Sequence, residues 1–213
     1  MKDSTDIIVV LDRSGSMSSI KKDTEGGFDT FIKKQLEIPG EANVCLYQFD
    51  DHYDVVYENV ALTNVPPMQL VPRGWTALLD AIGKTIQGRG EYYAALPEEE
   101  RPERVVFVII TDGAENQSKE YTLETVKQMV TTQQDVYKWQ FVFLGADIDA
   151  IEVGAGLGIQ RGSTMNFAKT TAGTAGSYDV LTSSVSAYRS KVVENIVFTS
   201  ADRSKAMGQD SNS

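Results

Sequence analysis

The stretch "IIVVLDRSGSM", residues 7–17, decides the fold. Its first five residues are aliphatic, which is typical of a parallel strand that is covered on both faces. One carboxylate and two hydroxyls follow without a spacer, on Asp12, Ser14 and Ser16. In open α/β sheets, ligands bind in the crevice beyond the carboxyl ends of the strands. The stretch therefore predicts a ligand site at the end of a buried first strand.

Strand-like and helix-like patterns alternate along the rest of the chain, which predicts parallel strands joined by crossover helices. Three further apolar runs are typical of strands: "NVCLYQF" (43–49), "RVVFVII" (104–110) and "WQFVFLGA" (139–146). "DVVYENV" (54–60) follows the first of these after a short polar turn, so we expect an antiparallel edge strand there. We predict an α/β doubly wound, Rossmann-like three-layer sandwich with a mostly parallel central sheet and one antiparallel edge strand.

Helical spacing of apolar residues predicts four helices between these strands. The stripes comprise Phe28, Phe31, Ile32 and Leu36; Leu78, Leu79, Ile82 and Ile86; Leu123, Val126, Met129 and Val130; and Leu181, Val185, Tyr188, Val192 and Ile196. The last stripe predicts a helix from about residue 177 to residue 197, after a short strand in "STMNFA" (163–168). We predict a single domain over residues 1–200 and a polar, disordered tail over residues 201–213.

Composition limits the kinds of partner. The net charge of −10 disfavours nonspecific attraction to nucleic acid or to an anionic membrane, but it does not disfavour a cation. Cys45 is the only cysteine, so no internal disulfide forms and a reducing compartment is indicated. No apolar run approaches the roughly 20 residues that span a bilayer, and the opening "MKDSTD" lacks a signal-peptide pattern. We expect a cytoplasmic protein with neither nucleic-acid nor membrane partners.

Two more polar segments follow the first one in places where the predicted sheet brings them together. "GWT" (74–76) enters a helix and "TDG" (111–113) follows the strand "RVVFVII", which adds Thr76 and Asp112 to Asp12, Ser14 and Ser16. Two carboxylates and three hydroxyls, without imidazole or thiolate, suit a hard cation such as Mg²⁺. Taken singly, each residue could instead cap a helix or form a turn. As a set, they predict a metal site.

The sequence resembles the von Willebrand factor type A (vWA) domain with a metal-ion-dependent adhesion site (MIDAS), of the stand-alone bacterial and phage type. The family pattern is Asp-x-Ser-x-Ser, then a distant Thr, then a distant Asp followed by Gly, and Asp12, Ser14, Ser16, Thr76 and Asp112 match it in order. The resemblance extends over roughly residues 4 to 198. It implies that these five residues hold Mg²⁺, with Mn²⁺ or Ca²⁺ as alternatives. It also implies a protein partner that supplies an Asp or Glu to the metal, and therefore binding rather than catalysis, so no catalytic residue is predicted.

Other functions fit the sequence less well. A Mg²⁺-dependent phosphohydrolase of the haloacid-dehalogenase-like type also has an Asp at the end of its first strand, but it needs a second Asp where this chain has Ser14. A serine triad needs a histidine base, and His52 is the only histidine. In a third alternative, the protein is a structural subunit in which the metal only ties loops together.

Two neighbouring features are open to two interpretations each. Asp50, Asp51 and Asp54 around His52 form either a second cation site or, as we favour, a solvated hairpin turn. Trp75, beside Thr76, either contacts a partner at the rim of the metal site or packs under the loop.

Overall fold

The computed structural model describes residues 3–209 and forms a three-layer α/β sandwich. The strands are β1 (Ser4–Asp12), β2 (Glu41–Phe49), β3 (Tyr53–Ala61), β4 (Arg104–Thr111), β5 (Gln140–Gly145) and β6 (Thr164–Asn166). The helices are α1 (Lys21–Gln35), α2 (Leu78–Ala95), α3 (Leu123–Asp135), α4 (Ala150–Gly156), α5 (Thr171–Arg189) and α6 (Ser200–Ala206).

The six strands form one sheet in the order β3-β2-β1-β4-β5-β6. All neighbouring strands run parallel except β3, which pairs antiparallel with β2 at one edge. The chain leaves β1 for β2 on one side and later returns to β4 on the other side. The strand order therefore reverses at β1 and β4, and the carboxyl ends of these two strands form the switch-point crevice of a doubly wound sheet. The predicted fold class and the antiparallel edge strand are confirmed.

The side chains of β1 point alternately to the two faces of the sheet and so contribute to both halves of the core. Ile7, Val9 and Leu11 face α1, α5 and α6, whereas Ile8 and Val10 face α2, α3 and α4. All five side chains are buried, and full burial of such a side chain contributes about 1.5–3 kcal/mol. This double coverage explains why the strand is uninterruptedly apolar. It also fixes the direction in which the chain leaves the sheet at Asp12.

Both boundaries of the last long helix differ from the prediction. The last long helix begins at Thr171 and ends at Arg189, not near 177 and 197. It begins earlier because Thr170 caps it by accepting a hydrogen bond from the backbone N–H of Gly173, and it ends earlier because Lys191 adopts a left-handed φ of 59°. Val192 and Ile196 were predicted on the stripe of this helix, but both lie after its end. Val192 is 76% exposed, and Ile196 is buried as part of the following loop.

Two residues of the predicted apolar stripes lie at the ends of α1 and α3. Leu36 and Leu123 belong to the helically spaced apolar stripes, but both are exposed. Leu36 lies just after the last residue of α1, and Leu123 is the first residue of α3. At these ends the helix no longer packs against the sheet.

The predicted disordered tail is wrong for residues 201–206. Helix α6 begins with a capping box, in which Thr199 and Asp202 each accept from the other's backbone N–H. Ala206 is fully buried, and Gly176 lets α6 approach α5 so closely that a β-carbon there would lie 2.2 Å from the carbonyl oxygen of Lys205. Residues 210–213 of the predicted tail lie outside the described residues. The assignment of residues 1–200 to one domain stays a prediction.

Helix α4 was not predicted at all. Its seven residues, "AIEVGAG", contain two glycines, which weaken any helical signal in the sequence. Gly154 permits close packing, since a β-carbon there would lie 2.4 Å from a methyl group of Thr164 on β6. In the described part of the chain, no helix combines the length and the apolar character needed to cross a membrane.

Candidate metal centre

The candidate site lies where β1 and β4 end side by side. The two strands are parallel, with Leu11 opposite Ile110, so Asp12 at the end of β1 lies beside Thr111 at the end of β4. Asp112 is the next residue along the chain. Two acidic residues therefore meet at the switch point of the sheet, as the sequence predicted.

Asp12 is fully buried at the base of the site. One carboxylate oxygen accepts from the backbone N–H of Ser14 at 2.6 Å, and the other accepts from the Thr111 hydroxyl at 2.7 Å. Burial raises the pKa of Asp12 to about 6, although these hydrogen bonds act in the opposite direction and the nearby charge of Asp112 adds to the rise. The structure thus keeps a carboxylate in a place where ionisation is costly without a nearby cation.

The two serines connect this loop to Asp112. The hydroxyls of Ser14 and Ser16 lie 2.9 Å apart, and the Ser16 hydroxyl donates to Asp112 Oδ1 at 2.6 Å. Since the proton of Ser16 goes to Asp112, the Ser14 hydroxyl is the donor to Ser16. Ser14 and Asp112 are buried, whereas Ser16 is exposed. The exposed Ser16 hydroxyl therefore bridges two buried groups, Ser14 and Asp112.

Thr76 reaches the same place from the segment that precedes α2. Its backbone N–H donates to the Asn116 side chain at 3.0 Å, and its carbonyl accepts from the Asn116 backbone N–H at 3.0 Å. A β-carbon on Gly113 would lie 3.3 Å from Thr76 Oγ1 and 3.8 Å from Ser16 Oγ. Because residue 113 is a glycine, the Thr76 hydroxyl can lie close to the segment that carries Asp112. All five predicted site residues are brought together.

Backbone hydrogen bonds hold the contributing loops against each other. The Gly15 N–H donates to the Gly74 carbonyl at 3.3 Å, and the Arg73 N–H donates to the Arg13 carbonyl at 2.9 Å. Gly74 has a φ of +66°, and a β-carbon there would lie 2.0 Å from a carboxylate oxygen of Asp51. Glycine is therefore required at this position both by conformation and by space.

The donor set fits a hard divalent cation. Two buried carboxylates and three hydroxyls converge, and Mg²⁺, Mn²⁺ and Ca²⁺ prefer such oxygen ligands. The positive charge of a cation would also offset the cost of ionising Asp12 in its buried position. The hydrogen bonds that already join Ser14, Ser16 and Asp112 place these groups close together.

Comparison with known proteins assigns the fold. No protein-family model matches the sequence, and no curated protein sequence matches it. Solved structures do match. The vWF domain of the type V pili tip protein Mfa5 from Porphyromonas gingivalis superposes with a TM-score of 0.60 at 10% identity, over 87% of this chain and 96% of that chain. A von Willebrand factor type A structure from Catenulispora acidiphila gives a TM-score of 0.58 at 12% identity, over 85% of this chain and 42% of that one.

The chain has the von Willebrand factor A fold. A third vWA-like structure, proximal thread matrix protein 1 from the mussel byssus with a zinc-occupied MIDAS motif, gives a TM-score of 0.58 at 13% identity. It is matched over 87% of this chain and 46% of that protein. The chain spans less than half the length of several structures that it matches.

A second group of acidic residues lies next to the MIDAS-like residues of this A-type fold. Ligand atoms of Asp50, Asp51 and His52 lie within 4.8 Å of one another. However, the buried Asp50 carboxylate pairs with Arg13 Nε at 2.9 Å and with Arg73 Nε at 2.8 Å. Although burial alone would raise it, the hydrogen bonds from Arg73, from the His52 backbone and from Arg13 lower the pKa of Asp50. Two guanidinium groups thus neutralise this carboxylate, which favours the hairpin-turn interpretation over a second cation site.

Trp75 lies at the surface of the vWA fold beside Thr76. Its side chain is 62% exposed. The interpretation that it packs under the loop is therefore wrong for this structure. An exposed indole next to the site is available to a partner, but its contact with one stays a prediction.

Four site residues were missed by sequence reasoning. Thr111 donates to Asp12, Asn116 holds Thr76, Glu115 accepts from the backbone N–H of Leu79 at the start of α2, and Lys169 approaches Asp112. The first three belong to the segment "TDGAEN" (111–116), whose density of polar residues around Asp112 was the available signal. Lys169 has no such signal, because it lies after β6 and only the fold brings it to the site.

Proposed function

We propose that this chain is a divalent-metal-dependent protein-binding module. In this proposal Mg²⁺ is held by Asp12, Ser14, Ser16, Thr76 and Asp112, and an Asp or Glu of a partner protein supplies a further ligand. The observation that carries the proposal is the convergence of these two buried carboxylates and three hydroxyls at the switch point of a vWA fold. The zinc-occupied MIDAS of the mussel protein supports it by analogy.

The chemistry of the donor set favours binding over catalysis. Serine and threonine hydroxyls are weak, neutral ligands, so an ion held with two carboxylates retains affinity for an outside carboxylate. The position two residues after Asp12, where a haloacid-dehalogenase-like enzyme has its second Asp, is Ser14, whose hydroxyl donates to Ser16. The residues described here therefore offer no carboxyl group at that position to protonate a leaving group.

The first test is calorimetric titration of Mg²⁺, and separately of Mn²⁺, into metal-free protein. We expect one-site binding that is lost in the Ser14→Ala/Ser16→Ala double variant. A matched control is Ser18→Ala/Ser19→Ala, which also removes two serine hydroxyls, because Ser18 and Ser19 are exposed residues of the short helical turn Gly15–Ile20 that includes Ser16. Binding that persists in the first variant, or that is lost in the control, would contradict the assigned ligands.

The second test addresses the partner carboxylate. Peptides that display Asp or Glu are compared with the same peptides carrying Asn or Gln, in Mg²⁺ and in chelator. We expect binding only for the acidic peptides and only with metal. The variant Trp75→Ala should weaken peptide binding without changing metal affinity, since the indole is exposed beside the site. Turnover of a generic phosphate ester that Asp12→Asn abolishes would instead support the phosphohydrolase alternative.

A further inference from the structure

A lysine from a distant part of the chain approaches the candidate metal centre. Lys169 Nζ lies 2.7 Å from Asp112 Oδ2, while the other oxygen of Asp112 accepts from Ser16. The approach is an ion pair without the alignment of a hydrogen bond. The Asp112 side chain is fully buried and that of Lys169 is only 18% exposed. This is a partly desolvated pair, in which the interaction is much stronger than at a protein surface.

The backbone around Lys169 is fixed from three directions. Lys169 lies in the segment between β6 and α5. The N–H of Phe167 donates to the carbonyl of Gly145 on β5, and the N–H of Ala168 donates to the carbonyl of Ala206 on α6, both at 3.0 Å. Thr170, the next residue, caps α5. The ammonium group is therefore directed at Asp112 by anchored backbone and is not a freely moving surface charge.

A second carboxylate lies within ion-pair distance of the ammonium group, on its solvent side. Asp147 Oδ2 is 3.7 Å from Lys169 Nζ, and the Asp147 side chain is 63% exposed. Lys169 thus lies between a buried carboxylate of the site and an exposed carboxylate outside it. Among the described residues, Asp112 is one of two carboxylates that pair with Lys169.

Formal charges show what this ammonium does to the site. Asp12 and Asp112 carry −2 together, and Lys169 reduces the total of these three groups to −1. Asp147 is left out of this sum because its carboxylate is exposed and solvent screens its charge. A divalent ion then makes the total +1, where it would otherwise be zero. The other cations nearby, Arg13 and Arg73, are already paired with Asp50.

We propose that Lys169 regulates the metal centre by competing with the divalent ion for Asp112. This inference rests on the proposed function. The ammonium lowers the affinity for the ion, because it repels the ion and already pairs with Asp112. Once the ion is bound, the same ammonium leaves the site with a net positive charge that attracts an anionic partner. The segment between β6 and α5 is therefore coupled to metal occupancy.

The test is calorimetric titration of Mn²⁺ into metal-free wild-type protein and three variants. Lys169→Met keeps the length of the side chain and removes its charge, whereas Lys169→Arg keeps the charge. Lys191→Met is the matched control, since Lys191 pairs with Asp3 and Glu103 near the amino-terminal ends of β1 and β4. We expect Lys169→Met to bind Mn²⁺ at least about tenfold tighter, which is a modest effect for one unit charge near a divalent ion. The other two variants should stay within about twofold of wild type.

Thermal unfolding gives an independent readout. In chelator, Lys169→Met should melt at a lower temperature than wild type, because Asp112 loses its counter-charge. Mn²⁺ should then raise its melting temperature more than it raises that of wild type. The absence of both effects, in protein whose circular dichroism spectrum is unchanged, would overturn the role of Lys169.

The outcomes separate this inference from the proposed function. If wild type binds Mn²⁺ and Lys169→Met binds it no tighter, the competition is wrong and the metal site stands. An equal gain in Lys169→Arg would also overturn the inference, because charge would not be the cause. If neither wild type nor Lys169→Met binds Mn²⁺, the proposed function itself fails.

Discussion

Replacing Asp12 by Asn is expected to stabilise the metal-free protein while abolishing its metal binding. Asp12 is fully buried, and its pKa rises from the ordinary 3.8 to about 6. At neutral pH the folded protein therefore keeps an ionised group that the fold disfavours. A rise of this size corresponds to about 3 kcal/mol of lost stability.

The sign of the pH dependence follows from the direction of the shift. The folded carboxyl holds its proton more tightly than the unfolded one, so stability is highest below about pH 3.8. It is lost as the pH rises through about 6, and it stays level above that value with respect to this group. The variant has no titrating group here, so the advantage of Asp12→Asn should appear only as the pH rises.

The hydrogen bonds of the site accommodate an amide. The Asn oxygen can accept from the Ser14 N–H in the way that Asp12 does. The Thr111 hydroxyl also lies 3.1 Å from the Gly113 carbonyl, so it can donate there and accept from the new NH₂ group. One charge-assisted hydrogen bond is weakened, which costs about 1 kcal/mol. The expected net gain at about pH 8 is therefore about 2 kcal/mol.

Urea unfolding in chelator measures this difference at about pH 8 and about pH 4. With a slope of about 2 kcal/mol/M, the midpoint of Asp12→Asn should be about 1 M higher at the upper pH and nearly equal at the lower pH. Lower stability of the variant at pH 8 would refute the reasoning. So would an equal shift at both pH values, because the effect would then not come from ionisation of Asp12.

Three further predictions test the site and the packing. Metal affinity should fall steeply below about pH 6, because a proton competes with the ion for Asp12. An association constant, measured by calorimetry, that is unchanged at about pH 5 would contradict this. Gly27→Ala should lower the free energy of unfolding in urea by about 1–3 kcal/mol, since its β-carbon would lie 2.3 Å from the ring of Tyr178 on α5. Gly26→Ala is the control: its β-carbon would meet nothing within 4 Å, so this variant should raise the free energy of unfolding by up to about 1 kcal/mol. Arg89→Met should cost about 3 kcal/mol by the same measurement, because it removes the buried ion pair of Arg89 with Asp6 at 3.1 Å. A neutral result would contradict a stabilising role of that pair.

The parts of the fold that the sequence predicted are those where one physical signal dominates. Residues 7–11 and 105–110 are apolar on both faces, which only a doubly covered parallel strand requires. Helix α4 and the start of α5 were missed because their glycines serve contacts that a sequence does not display. At Gly173, for example, a β-carbon would lie 2.2 Å from the carbonyl oxygen of Ala168. A residue with poor helix propensity is kept there for tertiary packing.

The strength of the sequence signal also explains which site residues were predicted and which were missed. Asp12, Ser14 and Ser16 are close in sequence, and the ends of β1 and β4 are neighbours in any sheet of this order, so their meeting with Asp112 followed from the strand pattern. The position of Lys169 did not. It depends on the three-residue strand β6 and on the docking of α6 beside it, neither of which carries a strong pattern of its own.

Asp50 and Asp12, two buried carboxylates at this end of the sheet, differ in how their negative charge is balanced. Arg13, between Asp12 and Ser14, directs its guanidinium to Asp50, so the motif loop is anchored by a carboxylate that is already neutralised. Within residues 3–209, Asp12 has no such partner, and its hydrogen bonds come from neutral donors, the Ser14 N–H and the Thr111 hydroxyl. The loops are therefore ordered without an ion, and little ordering entropy is left for the ion to overcome. The cost of building the site is electrostatic instead, and a divalent cation is the kind of ligand that removes it.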